Sequence, residues 1–201
     1  MNIMIFNPPI VTPRLLLKKK SLNDFESFFA MSKDQKVMQY IGDGSIFHWT
    51  CKTALKKFKA GLNRTNKNKL GTLSVYTKNC NQYIGWCGIG YSKFLDHIEL
   101  GYRYCRDAWH NGYATEAASA ILAETYRLTD IDRILACTHP QNIASRRVLE
   151  KLGFACTGSK LSRASGLRIP VYQIDRKAFG KNYFLQKIQV SNKFHSVNNV
   201  D

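Results

Sequence analysis

The segment Trp109–Ala117 combines small and polar residues in a way suited to binding an anion. It reads Trp-His-Asn-Gly-Tyr-Ala-Thr-Glu-Ala and leads directly into an apolar pattern of helical period. The first N–H groups of a helix lack partners within the helix, and the helix dipole places positive charge at the same end. Gly112 and Ala114 keep side chains small there, so a phosphate can approach the backbone closely. The segment predicts either an anion-binding turn or a tight turn whose glycine only suits the geometry.

The elements that position this segment follow from hydrophobic periodicity and turn residues. Asn79-Cys80-Asn81 supplies a hairpin turn, and Gly153 ends the last helix. The alternation of elements predicts a mixed α/β sheet covered by helices. Strands are predicted at 12–18, 70–76, 82–89, 98–104, 131–138, 154–161 and 169–175, and helices near 25–29, from Thr50 to Gly61, and at 112–128 and 143–151.

Three blocks of the sequence resemble one enzyme family. Trp109-x-x-Gly112-x-Ala114 is similar to the coenzyme A signature Gln/Arg-x-x-Gly-x-Gly/Ala of the GNAT superfamily, with Trp in the first position. That Trp, and the run from Gly112 to Ala117, resemble the RimJ/RimL-like branch of ribosomal-protein N-terminal acetyltransferases. The block Asn142–Phe154 and the opening Thr12–Leu17 are similar to the same branch. The resemblance covers about residues 10 to 176.

This resemblance implies a fold and a reaction. The fold is a mostly antiparallel central sheet flanked by helices, with acetyl-CoA in a splay between central strands. An N-acetyltransferase domain would span residues 1–180, followed by a basic, partly disordered tail at 181–201. The reaction would be direct transfer of acetyl from acetyl-CoA to a primary amine, with a protein N-terminal α-amine as the leading acceptor. A small-molecule amine acetyltransferase, and a non-enzymatic nucleic-acid-binding or acetyl-CoA-sensing protein, remain as alternatives.

The resemblance also assigns roles to residues. Glu99 would be the general base, and Ser145 would protonate the departing thiolate where many relatives use a tyrosine at the position of Leu149. Without the resemblance, Glu99 and Ser145 would be ordinary surface residues and Asn142 a helix cap. The acceptor pocket is expected at Tyr40, His48 and Trp49, although aromatic residues there could equally belong to the core. The expected cofactor ligands are Gly101, Tyr102, Arg103, Tyr104, Trp109, His110, Asn111, Gly112, Tyr113, Ala114, Thr115, Asn142 and Arg147.

Charge and composition limit the remaining possibilities. Thirty Lys and Arg against fourteen Asp and Glu leave a net charge of +16, which favours polyanionic surroundings. The stretch 52–69 holds seven basic residues and no acid, so it predicts either docking on a ribosome or another RNA-rich target, or a solvated helix face. No apolar run is long enough to span a membrane. The six cysteines lack metal-ligand spacing, so no metal is expected and buried, inert thiols in a cytoplasmic protein are predicted.

Overall fold

The computed structural model describes residues 6, 8–42, 44–68 and 71–181, with side chains throughout except at 63–68. Eight strands form one sheet: β1 (Ile10–Val11), β2 (Leu15–Lys19), β3 (Thr72–Thr77), β4 (Tyr83–Ser92), β5 (His97–Tyr104), β6 (Arg133–Cys137), β7 (Ala155–Leu161) and β8 (Arg168–Asp175). Their spatial order is β1-β2-β3-β4-β5-β6-β8-β7. Every neighbouring pair is antiparallel except β5–β6, which is parallel. The predicted mixed, mostly antiparallel sheet is therefore confirmed.

Among the described residues that precede β7, five α-helices cover the two faces of this sheet. They are α1 (Phe25–Lys33), α2 (Gln35–Met38), α3 (Cys51–Asn68), α4 (Tyr113–Leu128) and α5 (Ile143–Leu152). Ile121 and Leu122 of α4 and Leu149 of α5 are at most 1% exposed and pack with inward-facing strand residues. On the other face, Phe25 of α1 and Phe58 of α3 form a second cluster with rings 5.6 Å apart. The sheet thus has an α4/α5 face and an α1/α3 face.

Three local predictions need correction. The strand predicted at 12–18 begins only at Leu15, as β2, because Thr12 Oγ1 accepts the N–H of Leu15 and residues 12–14 form a turn after β1. Gly61 does not end α3, which continues to Asn68, since an isolated glycine costs a helix only about 1 kcal/mol. The expectation of buried thiols holds for Cys87, whereas the other five cysteines are partly or fully exposed.

Two further findings concern the described residues alone. Among them, no helix is long and apolar enough to cross a membrane. Nor do three or more His, Cys, Asp or Glu side chains of those residues group where they could hold a metal ion. The predicted tail at 181–201 lies outside them except for Lys181, which belongs to a helical segment that begins at Arg176.

Candidate active site

The centre of the sheet opens between β5 and β6. These strands share a single register pair, Glu99 with Leu135, whereas β5 pairs with β4 along its whole length. Beyond Glu99 the two strands separate, so the edge of β5 from Leu100 to Tyr104 faces a gap instead of a ladder partner. Backbone N–H and C=O groups in such a gap are available to a ligand that runs along the strand. The splay expected from the sequence is present at this position.

The turn after β5 presents helix N–H groups without a capping side chain. Gly112 is the N-cap of α4 with φ of +75°, in the left-handed region that favours glycine, and no side chain caps the helix. His110 also has a positive φ of 62°. The free N–H groups of Tyr113, Ala114 and Thr115 therefore point out of the first turn of a 16-residue helix. This arrangement fits a pyrophosphate, because donors and the positive end of the dipole coincide.

Two motifs that lie far apart in the sequence meet at this turn. Glu116 Oε1 accepts hydrogen bonds from Thr12 Oγ1 at 2.7 Å and from the Arg14 N–H at 2.9 Å, and Oε2 accepts from Arg14 Nε at 2.7 Å. Arg14 Nη1 then donates to the Asn111 carbonyl at 2.9 Å, and its guanidinium lies over the Tyr113 ring. Burial alone would raise the pKa of Glu116, but these hydrogen bonds and the Arg14 charge lower it overall. The Thr12–Arg14 turn therefore braces the start of α4.

Glu99 lies on β5 beside Cys137 of β6. The Cys137 thiol donates to Glu99 Oε1 at 3.1 Å, and Glu99 is half-buried. Burial raises the pKa of Cys137, and the charge and hydrogen bond of Glu99 raise it further, so the thiol remains a donor at neutral pH. Among the described side chains, none donates to Oε2 of Glu99. One carboxylate oxygen is thus fixed and the other is available to accept a proton.

Tyr102, Ser145 and Asn142 form a second polar group. Asn142 Oδ1 caps α5 by accepting the Ser145 N–H at 3.0 Å. The Ser145 hydroxyl is 3.1 Å from the Tyr102 hydroxyl, which also donates to the Ser145 carbonyl at 3.2 Å. Burial raises the pKa of Tyr102, so its hydroxyl stays protonated. Sequence reasoning placed both residues in the site but missed their contact, because they lie 43 residues apart.

Alternation of side chains along β5 places Glu99 on one face of the sheet and the Tyr102–Ser145 pair on the other. Leu100, Tyr102 and Tyr104 join the core under α4 and α5. Arg103 instead reaches Ser32 of α1, at 3.4 Å from Nη1 to Oγ. Glu99 shares the parity of Arg103 and therefore the α1/α3 face. A carboxylate and a hydroxyl pair consequently approach the splay from its two sides.

The other predicted ligands have varied surroundings. The Trp109 indole donates to the Tyr104 carbonyl at 3.0 Å, so it holds the end of β5. Asn111 donates from its side chain to the Trp109 carbonyl at 2.9 Å, and Arg147 is exposed on α5. The Arg103 side chain lies away from the α5 side, which leaves only its backbone facing the splay.

The three residues expected in an acceptor pocket have different surroundings. Tyr40 stacks on His139, just beyond β6, with ring centroids 4.9 Å apart. His48 is exposed, while Trp49 packs on the second hydrophobic cluster with Lys57 4.4 Å above its ring. Tyr40 therefore lies beside His139, two residues after the end of β6.

Comparison with known proteins identifies this arrangement. The sequence model described as "Acetyltransferase (GNAT) domain" matches residues 14–155, which include Arg14 of the bracing turn, the splay and the first residue of β7. The chain belongs to the GNAT acetyltransferase family. The GNAT fold therefore accounts for the parallel β5–β6 pair and the uncapped start of α4. The activity of the family is acetyl-CoA-dependent N-acetyl transfer to an amine.

Individual GNAT relatives agree with this assignment. The chain is 29% identical over 150 residues to the uncharacterized N-acetyltransferase YnaD of Bacillus subtilis (strain 168), covering 74% of this chain and 84% of YnaD. A GNAT-family acetyltransferase structure from Bacillus anthracis superposes with a TM-score of 0.69 at 25% identity, covering 84% and 98% of the two chains. The complex of RimL, a ribosomal L7/L12 alpha-N-protein acetyltransferase, with coenzyme A gives a TM-score of 0.72 at 14% identity, covering 85% and 98%.

Proposed function

We propose that this GNAT enzyme acetylates the N-terminal α-amine of a protein, as a member of the RimJ/RimL-like branch. The observation that carries the proposal is the Trp109-x-x-Gly-Tyr-Ala-Thr-Glu-Ala turn on a fold similar to that of RimL. Its Glu116 is bonded to the Thr12–Arg14 turn, which makes two parts of the branch pattern one structural unit.

The cofactor would lie along the splayed edge of β5. Acetyl-CoA supplies the activated acetyl group when it is bound. The N–H groups of Tyr113, Ala114 and Thr115 would hold its pyrophosphate, and the unpaired edge at Gly101 and Tyr102 would hold its pantetheine arm. Asn142, the N-cap of α5, and the exposed Arg147 of that helix would add polar contacts to the cofactor.

Glu99 would act as the general base on the α1/α3 face. Its Oε2 is available, whereas Oε1 is fixed by the Cys137 thiol, so the carboxylate has one defined orientation. An amine that enters from this face would meet Oε2 directly or through a water molecule. The thiol donor keeps the carboxylate oriented without neutralising it, because its own pKa is raised.

Ser145 and Tyr102 would return a proton to the departing thiolate on the α4/α5 face. A serine hydroxyl alone is a weak acid, but here it is 3.1 Å from a buried tyrosine hydroxyl. The Tyr102 hydroxyl would stabilise, by a hydrogen bond, the negative charge that develops on Ser145 Oγ as Ser145 donates its proton to the thiolate, and solvent would then return a proton to Ser145. Leu149, at the position where many relatives have the tyrosine, is 1% exposed in the core and cannot serve.

The basic face of α3 would support docking on an anionic target. Lys52, Lys56 and Lys59 are exposed on this helix, and no acidic residue lies between 52 and 69. Contacts of this kind release counterions, so docking on a ribosome should weaken steeply with salt. A Lys52/Lys56/Lys59→Gln variant that sediments with ribosomes as the wild type does would contradict this role.

The proposal is tested by tracing an isotope-labelled acetyl group to its acceptor. The purified protein is incubated with isotope-labelled acetyl-CoA and a host lysate, and the protein and metabolite fractions are analysed by mass spectrometry. Label on a protein N-terminus, lost with Glu99→Gln and retained with Glu150→Gln, supports the proposal. Label on a small amine instead shows a metabolite acetyltransferase, and label on lysine side chains also refutes N-terminal transfer.

A further inference from the structure

On the α1/α3 face, the sheet has an open floor next to Glu99. Glu99, Gly101 and Arg103 follow one another along this face of β5, and their register partners on β4 include Gly90 and Trp86. A Cβ added at Gly90 would meet nothing within 4 Å, and one at Gly101 would meet the Trp86 ring at 3.4 Å. The floor between Glu99 and the Trp86–Arg103 pair therefore carries few side-chain atoms.

Two cations lie close together at the far end of this floor. The Lys20 ammonium is 4.7 Å from the Trp86 ring centroid, and the Arg103 guanidinium carbon is 5.7 Å from the same ring. Burial lowers the pKa of Lys20 to about 8, with the Arg103 charge as the second cause and Asp24 opposing both. Two like charges at a half-buried site require an anion to stabilise them.

The acid nearest to these cations is already engaged. Asp24, 3% exposed, accepts hydrogen bonds from the Ser74 and Tyr76 hydroxyls and from the Ser21 N–H. Among the described residues, neither cation has a carboxylate oxygen within 4 Å. With Asp24 counted, the cluster still carries one excess positive charge.

Several donors of the cluster lack acceptors. Within the part of the chain that the structure describes, Arg103 makes one side-chain hydrogen bond, to Ser32 at 3.4 Å, although a guanidinium offers five donors. Its Nε and the Trp86 Nε1 are shielded from solvent and have no partner among the described residues. Leaving such donors unsatisfied is unfavourable, so a small shift of the two side chains toward an acceptor supplied by a ligand would be favourable.

Lys20 also lines a groove that opens between the sheet, α1 and α3. The groove has a volume of about 360 Å³, aromatic walls at Phe28 and Trp49, and a second cation, Lys57. The first turn of α4, which would hold the cofactor's pyrophosphate, belongs to the other face. The cations of the groove are therefore not needed for the cofactor and remain available to the acceptor.

We infer that the acceptor amine is accompanied by a carboxylate, which binds to Lys20, Arg103 and Trp86 while the amine meets Glu99. A carboxylate matches the planar donor fork of Arg103. The Cα atoms of Glu99 and Arg103 are about 13 Å apart along an extended strand. The Glu99 and Arg103 side chains would bridge part of this distance by leaning toward each other, which leaves the span of one amino acid or of the first residues of a peptide. The inference rests on the proposed function only in using Glu99 as the base.

The test compares acids with their amides. Acceptors are tetrapeptides that begin with Asp or Glu against Asn or Gln, and 4-aminobutyrate against 4-aminobutyramide, with kcat/KM measured by release of coenzyme A thiol. We expect kcat/KM to be at least 10-fold higher for the acid than for its amide in one of the two sets. A preference among the tetrapeptides would identify a peptide carboxylate, and a preference for 4-aminobutyrate would identify a small amino acid. In Arg103→Gln and Lys20→Met the acid-to-amide ratio should fall below 2, whereas Lys19→Met, an exposed neighbour on β2, should keep the wild-type ratio.

The outcomes separate this site from the proposed function. Transfer to amines with equal rates for acid and amide overturns the carboxylate site and leaves N-acetylation intact. If no amine is acetylated, the proposed function is refuted for these acceptors, and the melting temperature then decides the site. Stabilisation by glutarate but not by glutaramide, abolished in Arg103→Gln, supports the site. Equal effects of the two compounds overturn it.

Discussion

Replacing Glu116 with Gln should test whether the turn between Thr12 and Arg14 holds the start of α4. The Glu116 side chain is 14% exposed and accepts three hydrogen bonds of 2.7 to 2.9 Å. Gln keeps one acceptor oxygen, but its amide group would face the Arg14 Nε–H as a second donor. The variant therefore loses one charge-assisted hydrogen bond and weakens two.

The size of the effect can be estimated from these contacts. A hydrogen bond to a charged group contributes about 1.5–3 kcal/mol, and the lower end applies because the Arg14 side chain is 51% exposed. Weakening of the two hydrogen bonds to Oε1, from Thr12 and from the Arg14 N–H, adds roughly 0.5–1 kcal/mol to this loss of stability. We expect Glu116→Gln to lower the free energy of unfolding by about 2–3 kcal/mol, which corresponds to about 5–10 °C in melting temperature for a chain of this length.

The dependence on pH provides a second, independent check. The pKa of Glu116 is lowered in the folded protein, so the carboxylate stabilises the fold above its unfolded pKa of about 4.3. That contribution is lost as the pH falls through the lower pKa of the folded state. The difference between the wild type and Glu116→Gln should be constant from pH 7 to about pH 5 and shrink below about pH 4.

The assay is urea unfolding at several pH values, together with calorimetric titration of acetyl-CoA. Because Arg14 also bonds the Asn111 carbonyl, Glu116→Gln should bind acetyl-CoA more weakly. The matched control is Glu124→Gln, which is on the same helix and among the described residues pairs with Arg127 alone, and it should unfold like the wild type. Equal stability of Glu116→Gln and Glu124→Gln, or a difference that does not shrink in acid, would refute the reasoning.

Three further predictions concern the site. Gly112→Ala should destabilise the fold by about 1–2 kcal/mol, because φ is +75° there; a stability equal to the wild type in urea would contradict this. Asn142→Ala should cost about 1 kcal/mol through loss of the α5 cap, measured in the same way, and an unchanged unfolding midpoint would count against the cap. Tyr102→Phe and Ser145→Ala should each lower kcat about 10-fold or more, and the double variant should lose little more than either. Strictly multiplicative losses in stopped-flow or steady-state assays would show that the two hydroxyls act separately.

Prediction from the sequence succeeded where one segment decides its own structure. Gly112 at the N-cap of α4, Asn142 at the N-cap of α5 and Gly153 at its end were all placed correctly, since caps depend on residues within one turn. Prediction failed at Gly61, which was expected to end α3. The helix continues past this glycine to Asn68. Helix propensity is a weak preference that tertiary contacts override.

The sequence by itself therefore determined the family resemblance, the uncapped turn at Gly112 and the residue types available for proton transfer. Only the tertiary structure decided which of them meet: Glu99 with Cys137, Tyr102 with Ser145, and Arg14 with Glu116. These pairs lie 38 to 102 residues apart, so no local pattern encodes them. Strand alternation around the single β5–β6 register pair also assigns Glu99 and Tyr102 to opposite faces, because side chains on a strand point alternately to the two sides of the sheet.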